Sequence, residues 1–252
     1  MAKTEGSSSK GTTIDSVRDS LIRQEDTIIF SLIERAKFPL NSPLYQESFA
    51  STSLIRFIVK KTEALQAEVG RYQNPEENPF FPDELPPSQV APFKFPLVLH
   101  PPAASININT KIWDVYFKNL LPSLAAPGDD GNYATTASSD INCLQAISRR
   151  IHYGKFVAEV KFRAAPQDYE PLIRAKDSDG LMKLLTFEKV EEQVRKRVEK
   201  KTMVFAQDVS LDKVESVGKY KVDPAFTSRL YQEWVMPLTK QVQVEYLLRR
   251  LD

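Results

Sequence analysis

Residues 149–161 read RRIHYGKFVAEVK, a helical pattern with a cation near each end. Arg150 and Lys161 are eleven residues apart, and because an α-helix has about 3.6 residues per turn, both side chains return to one face. Gly154, Val157 and Ala158 lie between them on that face and can neither neutralise the charges nor fill the space. The pattern predicts a concave strip for a small ligand with two separated negative groups. The alternative is that both cations reach solvent from a half-buried helix.

Two further segments favour a ligand site. In residues 236–252, MPLTKQVQVEYLLRRLD, Thr239 and Gln243 share one helix face among apolar neighbours, so two hydrogen-bonding groups enter an apolar setting. In residues 14–38, IDSVRDSLIRQEDTIIFSLIERAKF, Arg18 lies beside an apolar stripe. A charged group near a core face requires a partner.

Helical periodicity runs along most of the chain, and strand-like alternation is rare, so we expect an all-α protein. Nine of the 17 prolines fall in residues 75–102, which forbids a continuous helix there. Phe80, Phe81, Phe93 and Phe95 are expected to pack this connection onto the core. Helices are predicted at residues 14–37, 49–72, 108–125, 138–163, 167–175, 177–185, 188–206 and 224–250.

Composition limits the classes of function. The chain has 252 residues, 42% hydrophobic and 27% charged, with a formal net charge of +1. That charge recruits neither nucleic acid nor an anionic membrane, and no apolar run reaches the length of a membrane span. One cysteine, Cys143, and two histidines make a disulfide framework or a metal site improbable. Residues 1–13 are expected to be a mobile N-terminal tail, and residues 14–252 a single domain.

Several long blocks of this chain resemble the eukaryotic all-helical chorismate mutases of plants and fungi, most closely the plant branch. The resemblance covers residues 16–252. The blocks that carry it are LIRQEDTIIFSLIERAKF, NPEENPFFPDELP, GDDGNY, CLQAISRRIHYGKFVAEVKF and LTKQVQVEYLLRRLD.

The resemblance implies a homodimeric single-domain helical bundle that rearranges chorismate to prephenate in phenylalanine and tyrosine biosynthesis, part of the shikimate pathway. This pericyclic step needs no nucleophile, metal or cofactor. Catalysis then consists of holding the substrate in shape and placing fixed positive dipoles at the ether oxygen, where negative charge develops. The competing hypothesis is a non-catalytic helical sensor of aromatic amino acids on the same scaffold.

By the same resemblance, six residues form the substrate site: Arg18, Arg150, Lys161, Glu191, Thr239 and Gln243. Arg18 and Arg150 correspond to the residues that clamp the two carboxylates. Lys161 corresponds to the cation that reaches the ether oxygen and a carboxylate.

The remaining site positions include two departures from the fungal pattern. Glu191 corresponds to the carboxylate that accepts from the ring hydroxyl, and Thr239 lines the carboxylate end. At Gln243 the fungal enzymes have a Glu that must be protonated to donate to the ether oxygen, whereas an amide donates without that requirement. Phe187 stands where they have a polar Asn.

Regulated relatives bind Phe, Tyr or Trp at a dimer-interface site. The corresponding residues here are Val69, Gly70, Arg71, Asn132, Ala134, Thr135 and Ser138. Ala134 replaces a Gly at which the backbone approaches the effector, and Gly70 replaces one of two arginines. We therefore expect weak or no regulation. Because no plastid transit peptide is visible, we expect a cytosolic (cytoplasmic) form.

Overall fold

The computed structural model describes residues 12–47, 51–208 and 219–252. Their helices and turns make up the regular structure, apart from isolated bridge residues such as the pair Gln207 and Tyr220. Most of the predicted tail, residues 1–11, lies outside the described residues. Thr13 nonetheless has a defined role, because its side chain accepts from the backbone N–H of Ser16 and completes a capping box at the first helix.

Twelve α-helices are described. They are α1 Ile14–Arg35, α2 Leu54–Glu68, α3 Pro101–Ala104, α4 Asn109–Val115, α5 Leu121–Leu124, α6 Tyr133–His152, α7 Gly154–Ala164, α8 Pro166–Arg174, α9 Ser178–Leu185, α10 Glu188–Phe205, α11 Pro224–Leu230 and α12 Met236–Leu248. π-Helical turns join α4 to α5 and α11 to α12, at Tyr116–Leu120 and Tyr231–Val235. Short 3₁₀ turns occur at Ser42–Tyr45, Arg71–Gln73 and Pro82–Glu84.

The all-α prediction is confirmed, and most predicted helices match within a few residues. The prediction of one continuous helix at residues 138–163 is wrong in two respects. It begins earlier, at Tyr133, and it is interrupted at Tyr153, so α6 and α7 are separate helices. The helix predicted at 49–72 begins at Leu54, where the Ser53 side chain caps it, and residues 48–50 lie outside the described residues.

One large hydrophobic cluster connects the helices. α1 packs against α6 and α10, and α12 packs against α6, α7 and α9. Burial of the stripe on α1 at Val17, Ile28, Leu32 and Ile33 follows the predicted period. The cleft described below opens where α1, α7, α10 and α12 meet.

The proline-rich connection is held by buried charges. The Glu63 carboxylate on α2 accepts from the backbone N–H groups of Phe80 and Phe81 at 2.7 and 2.9 Å. The buried Lys155 ammonium on α7 donates to Asn78 Oδ1 and to the carbonyls of Ala104 and Ile106 at 2.9, 3.0 and 3.2 Å. The segment is therefore anchored on both α2 and α7.

Only part of the predicted aromatic packing occurs in this segment. Phe80 is buried and Phe81 and Phe95 are half-buried, but Phe93 is 69% exposed. The prediction for Phe93 is wrong because its ring packs on Phe95, 4.7 Å between centroids, rather than on the core.

Close contact between α7 and α12 depends on Gly154. A Cβ at this position would lie 2.8 Å from the backbone oxygen of Thr239, and a backbone atom cannot rotate away as a side chain can. The sequence prediction assigned Gly154 to the open strip between the two cations. The structure instead uses it to bring two helices together.

Gly154→Ala should destabilise the protein by about 1–3 kcal/mol, the usual cost of overpacking. For a chain of this size we expect a Tm about 2–12 °C lower. Differential scanning fluorimetry measures the shift, with the exposed Lys189→Ala on α10 as the control. A Tm equal to that of the wild type would show that α7 and α12 can move apart to accommodate the methyl group without loss of stability.

Candidate active site

The cleft consists of two adjoining cavities of about 150 and 390 Å³, named here the inner pocket and the outer pocket. Leu21, Arg150, Val157 and Lys161 line both, so the two pockets are continuous. Together they reach the size of typical small-ligand sites, about 300–1,000 Å³.

The inner pocket brings together five of the six predicted site residues and one more. Its polar lining is Arg150, Lys161, Glu191, Thr239, Lys240 and Gln243. Apolar side chains from α1, α7, α9, α10 and α12 surround these groups. Of the three small or apolar residues predicted between the cations, only Val157 lines the pocket; Ala158 and Gly154 face α12 and the core.

Arg150 is buried at the end of α6 with few partners. Its Nη1 donates to Thr239 Oγ1 over 3.3 Å, and its Nε has no hydrogen-bond partner. Burial lowers its pKa below the ordinary value, but a guanidinium stays charged near neutral pH. A buried cation with unused donors is suited to an incoming carboxylate.

Thr239 and Gln243 face the same space from α12. Thr239 Oγ1 donates to the carbonyl of Val235 at 2.6 Å and thereby presents its lone pairs to Arg150. Gln243 Nε2 makes one long bond of 3.4 Å to the carbonyl of Thr239, and Gln243 Oε1 has no partner. The amide therefore retains donor capacity for a ligand.

Lys161 reaches the inner pocket from α7, about one turn from the end of that helix. Burial lowers the pKa of its ammonium, and the nearby Glu191 carboxylate opposes that shift. Glu191 is itself paired with Lys240, with 2.8 Å between Nζ and Oε1. Because Lys240 pairs with this carboxylate, no carboxylate in the described part of the chain forms an ion pair with Lys161.

Arg18 lines only the outer pocket. Its side chain is 63% exposed and pairs with Asp15 at 2.9 Å. The sequence placed Arg18 correctly near the cleft, but the structure does not bring it beside Arg150 in the inner pocket. An exposed pair of this kind is weak and competes poorly with a ligand carboxylate.

Two site features were missed by the sequence analysis. Lys240 gave no signal beyond being one of 34 basic residues. Glu25 is fully buried on α1 and lines the outer pocket, where it pairs with Arg197 and Lys201 at 2.5 and 3.1 Å. Its position one turn after Leu21 on the apolar stripe was the available signal.

Four basic residues near the middle of α10 form two kinds of ion pair; they are Arg195, Lys196, Arg197 and Lys201. Arg195 and Lys196 pair with Glu192 on the same helix, as expected for a solvated face. Arg197 and Lys201 turn instead toward α1 and neutralise the buried Glu25 carboxylate.

The predicted effector residues fall in two segments. At the end of α2, Gly70 is left-handed with φ +82°, and Arg71 donates to Gln66 at 2.6 Å and to Glu77 at 2.9 Å. Val69 is exposed beside them. The other segment is the start of α6, where Asn132, Ala134, Thr135 and Ser138 are all exposed.

No hydrogen bond or ion pair joins these two segments directly within the described part of one chain. Arg71, the cation among the predicted effector residues, is already engaged by Glu77. Glu77 also pairs with Arg149 of α6, so Arg71 belongs to a network inside the subunit.

Residues 128–132 form a turn rather than a calcium loop. Asp129 and Asp130 accept from the backbone N–H groups of Gly131 and Asn132, each at 2.9 Å. Over the described ranges, no group of His, Cys, Asp and Glu side chains is arranged to hold a metal ion. None of the described helices is long and apolar enough to span a membrane.

Comparison with known proteins agrees with this geometry. The family model described as chorismate mutase type II matches residues 132–244, which include α6, α7 and α10 and most of α12. The protein is 63% identical to "Chorismate mutase 2" of Arabidopsis thaliana, over 95% of this chain and 94% of that relative. It is 53% identical to "Chorismate mutase 2, cytosolic" of Zea mays, over 95% of this chain and 96% of that relative. Other plant relatives, at 51–54% identity, have names that place them in the chloroplast.

Among solved structures, the mutase AtCM1 with phenylalanine bound in its allosteric site superposes with a TM-score of 0.87 at 51% identity. The match covers 99% of this chain and all of that one. Sequence and fold agree, and the chain belongs to the type II chorismate mutase family.

Proposed function

We propose that the cleft between α1, α7, α10 and α12 is where this enzyme, an isomerase of the chorismate mutase family, rearranges chorismate to prephenate. One observation carries the assignment. Arg150, Lys161 and Gln243 converge on one apolar cavity, and each has polar capacity that the protein itself leaves unused. Chorismate supplies the complementary groups, namely two carboxylates and an ether oxygen.

Each side chain has a role in this proposal. Arg150 binds one carboxylate, with Thr239 at the same end, and Arg18 leaves its exposed pair with Asp15 to bind the other at the outer pocket. These contacts hold the enolpyruvyl chain over the ring and so remove the entropy cost of reaching the reactive shape.

The ether oxygen gains negative charge as its bond to the ring stretches. Lys161 and the Nε2 of Gln243 donate to it, and these bonds strengthen as the charge develops, which lowers the barrier. Glu191, oriented by Lys240, accepts from the ring hydroxyl. The prediction of six site residues remains part of this proposal, and Lys240 is added as the residue that orients Glu191.

The test is loss of the diene absorbance of chorismate on addition of purified protein. We expect consumption far above the uncatalysed rate, with prephenate as the product. The sensor hypothesis predicts no consumption but binding of an aromatic amino acid, so consumption at the background rate would favour it.

Turnover should be nearly independent of pH from about pH 6 to 8.5 and should fall at higher pH. Gln243 has no proton to lose, while Lys161 loses its charge as pH rises through a pKa that burial places below the ordinary lysine value. Gln243→Glu should shift the profile toward acid, because only the neutral carboxyl donates. The measurement is kcat across pH 5–10 for both proteins. A fivefold fall for the wild type between pH 6 and 8 would show that another group titrates.

We also propose that the three aromatic amino acids regulate this enzyme weakly or not at all. The support is that Arg71 is engaged by Glu77 and that Ala134 carries a Cβ where regulated relatives have Gly. The measurement is the initial rate at subsaturating chorismate with about 1 mM Phe, Tyr or Trp. We expect the rate to change by less than fivefold, and a fivefold change corresponds to a coupling free energy of about 1 kcal/mol. A larger change contradicts it. Ala134→Gly should enhance any residual response.

A homodimer is proposed from exposed apolar side chains that one subunit leaves uncovered. They are Leu65 and Val69 on α2 and Phe30, Met203 and Val204 near the ends of α1 and α10. Light scattering after gel filtration should give twice the chain mass, and a mass equal to one chain at micromolar concentration would refute the dimer.

A cytosolic location and a single functional domain at residues 14–252 complete the proposal. Similarity along 95% of the chain to the maize relative named cytosolic supports the location, and one large hydrophobic cluster that connects the helices supports the single domain. A fluorescent protein fused to the C-terminus should remain in the cytosol of plant cells. Fluorescence inside plastids would contradict the location.

A further inference from the structure

The ring of Phe187 lies at the mouth of the inner pocket, directly against the catalytic lysine. Lys161 Nζ is 4.8 Å from the centroid of this ring, within the range of a cation–π contact. The side chain of Phe187 lines the pocket and is nevertheless 51% exposed.

Lys161 has no other direct partner. Throughout the described residues, its ammonium forms no hydrogen bond or ion pair. The nearest carboxylate, Glu191, is bonded to Lys240 at 2.8 Å. The face of the Phe187 ring is thus the one group in direct contact that favours the charged end of Lys161 in this position.

An aromatic face holds a cation in a way that suits catalysis. The ring attracts the ammonium through its quadrupole but accepts no full hydrogen bond, whereas a carboxylate or amide would take one or two of the three N–H donors. The donors of Lys161 therefore stay available for the oxygen at which charge develops.

The position of the ring is set by the junction between α9 and α10. Phe187 is the N-cap residue of α10, with φ −125° and ψ 88°, and its carbonyl accepts from the backbone N–H of Glu191 at 3.0 Å. The preceding Thr186 hydroxyl bonds back to the carbonyl of Met182 at 2.8 Å and accepts from Lys240 at 3.3 Å. Two helices and a lysine of a third therefore fix the backbone from which the ring projects.

We propose that Phe187 is a positioning residue, whose ring face holds the Lys161 ammonium over the inner pocket while leaving its hydrogen-bond donors free for the substrate. The proposal rests on the function assigned to the cleft. It gives a physical reason for an apolar residue at this position, where fungal relatives have an amide.

The sign of a change in the Lys161 pKa separates this role from simple shielding. A ring that binds the cation stabilises the charged form, so its removal should lower the pKa. A ring that only excludes water destabilises the charged form, so its removal should raise the pKa. The other charged groups around the cleft are unchanged by the substitution; they are Arg18, Glu25, Arg150, Glu191, Arg197 and Lys240.

The experiment compares Phe187→Leu, which keeps apolar bulk, with Phe187→Tyr, which keeps the ring. The Lys161 titration is followed by NMR of isotope-labelled lysine in ligand-free protein, with Lys161→Arg identifying the signal. We expect the pKa to fall in Phe187→Leu and to stay near the wild-type value in Phe187→Tyr. We also expect kcat to fall about 3- to 30-fold in the leucine variant, the range a cation–π contact carries, with a smaller change in KM.

A rise in the pKa, or no change, in Phe187→Leu would overturn the proposal, as would equal loss of kcat in both variants. These outcomes differ from failure of the proposed function. If Lys161→Ala keeps full activity, the assignment of the cleft fails. If Lys161→Ala is impaired while Phe187→Leu matches the wild type in pKa and kcat, only the role of Phe187 fails.

Discussion

Replacing Lys161 by alanine should lower kcat by about 100- to 1,000-fold, the usual effect of removing one donor to a developing oxyanion. The effect is large because the ammonium is half-buried in a pocket with a largely apolar lining, where a charge is screened less than in water, and because no carboxylate among the described residues bonds to it. Its bond to the ether oxygen strengthens as the transition state forms, so the loss should appear in kcat and kcat/KM together.

Steady-state kinetics with chorismate measure this loss. Lys189→Ala, an exposed lysine on α10, is the control and should retain wild-type rates. Lys161→Arg should restore only part of the activity, because the charge is kept but the broader guanidinium does not fit the same position. Activity of Lys161→Ala within threefold of the wild type would remove this residue from the mechanism.

The second large effect is expected for Arg150→Lys, which keeps the charge but loses the planar fork. The guanidinium bonds Thr239 and leaves further donors toward the pocket, so two parallel bonds to a carboxylate are available to arginine and not to lysine. Loss of one charge-assisted hydrogen bond of about 1.5–3 kcal/mol predicts a fall in kcat/KM of about 10- to 150-fold.

Arg174→Lys on α8 is the matched control, because that arginine makes an exposed pair with Glu170 one turn away and should be neutral. The comparison separates the effect of losing the two-pronged guanidinium geometry from the effect of the positive charge, which both variants keep. Equal kcat/KM for Arg150→Lys and the wild type would show that a point charge suffices at this end of the pocket.

Much of the fold follows from local patterns. α1 has an apolar stripe and a cap signal that a sequence displays directly, and the side chains of Thr13 and Ser53 cap α1 and α2. The interruption at Tyr153 had no such signal, because the apolar period continues through it and Tyr153 itself stays near helical angles. What the structure adds at this point is a tertiary contact, since the next residue, Gly154, meets the backbone of Thr239 on another helix.

Site residues could be predicted where the resemblance to the mutase family assigned a residue or where cations were spaced by a whole number of helical turns. Arg150 and Lys161 line one pocket as the eleven-residue spacing predicted, even though the helix between them is interrupted. What sequence does not encode locally is which partner a charge selects. Glu191 pairs with Lys240, Glu25 with Arg197, and each pair joins helices far apart in the chain.

The structure of the protein with a bicyclic ether dicarboxylate that mimics the transition state tests the central claim most directly. The account predicts the ligand in the inner pocket, a carboxylate on Arg150, and the ether oxygen within about 3.2 Å of both Lys161 Nζ and Gln243 Nε2. An ether oxygen more than about 4 Å from both donors, or a ligand bound outside this cleft, would contradict it.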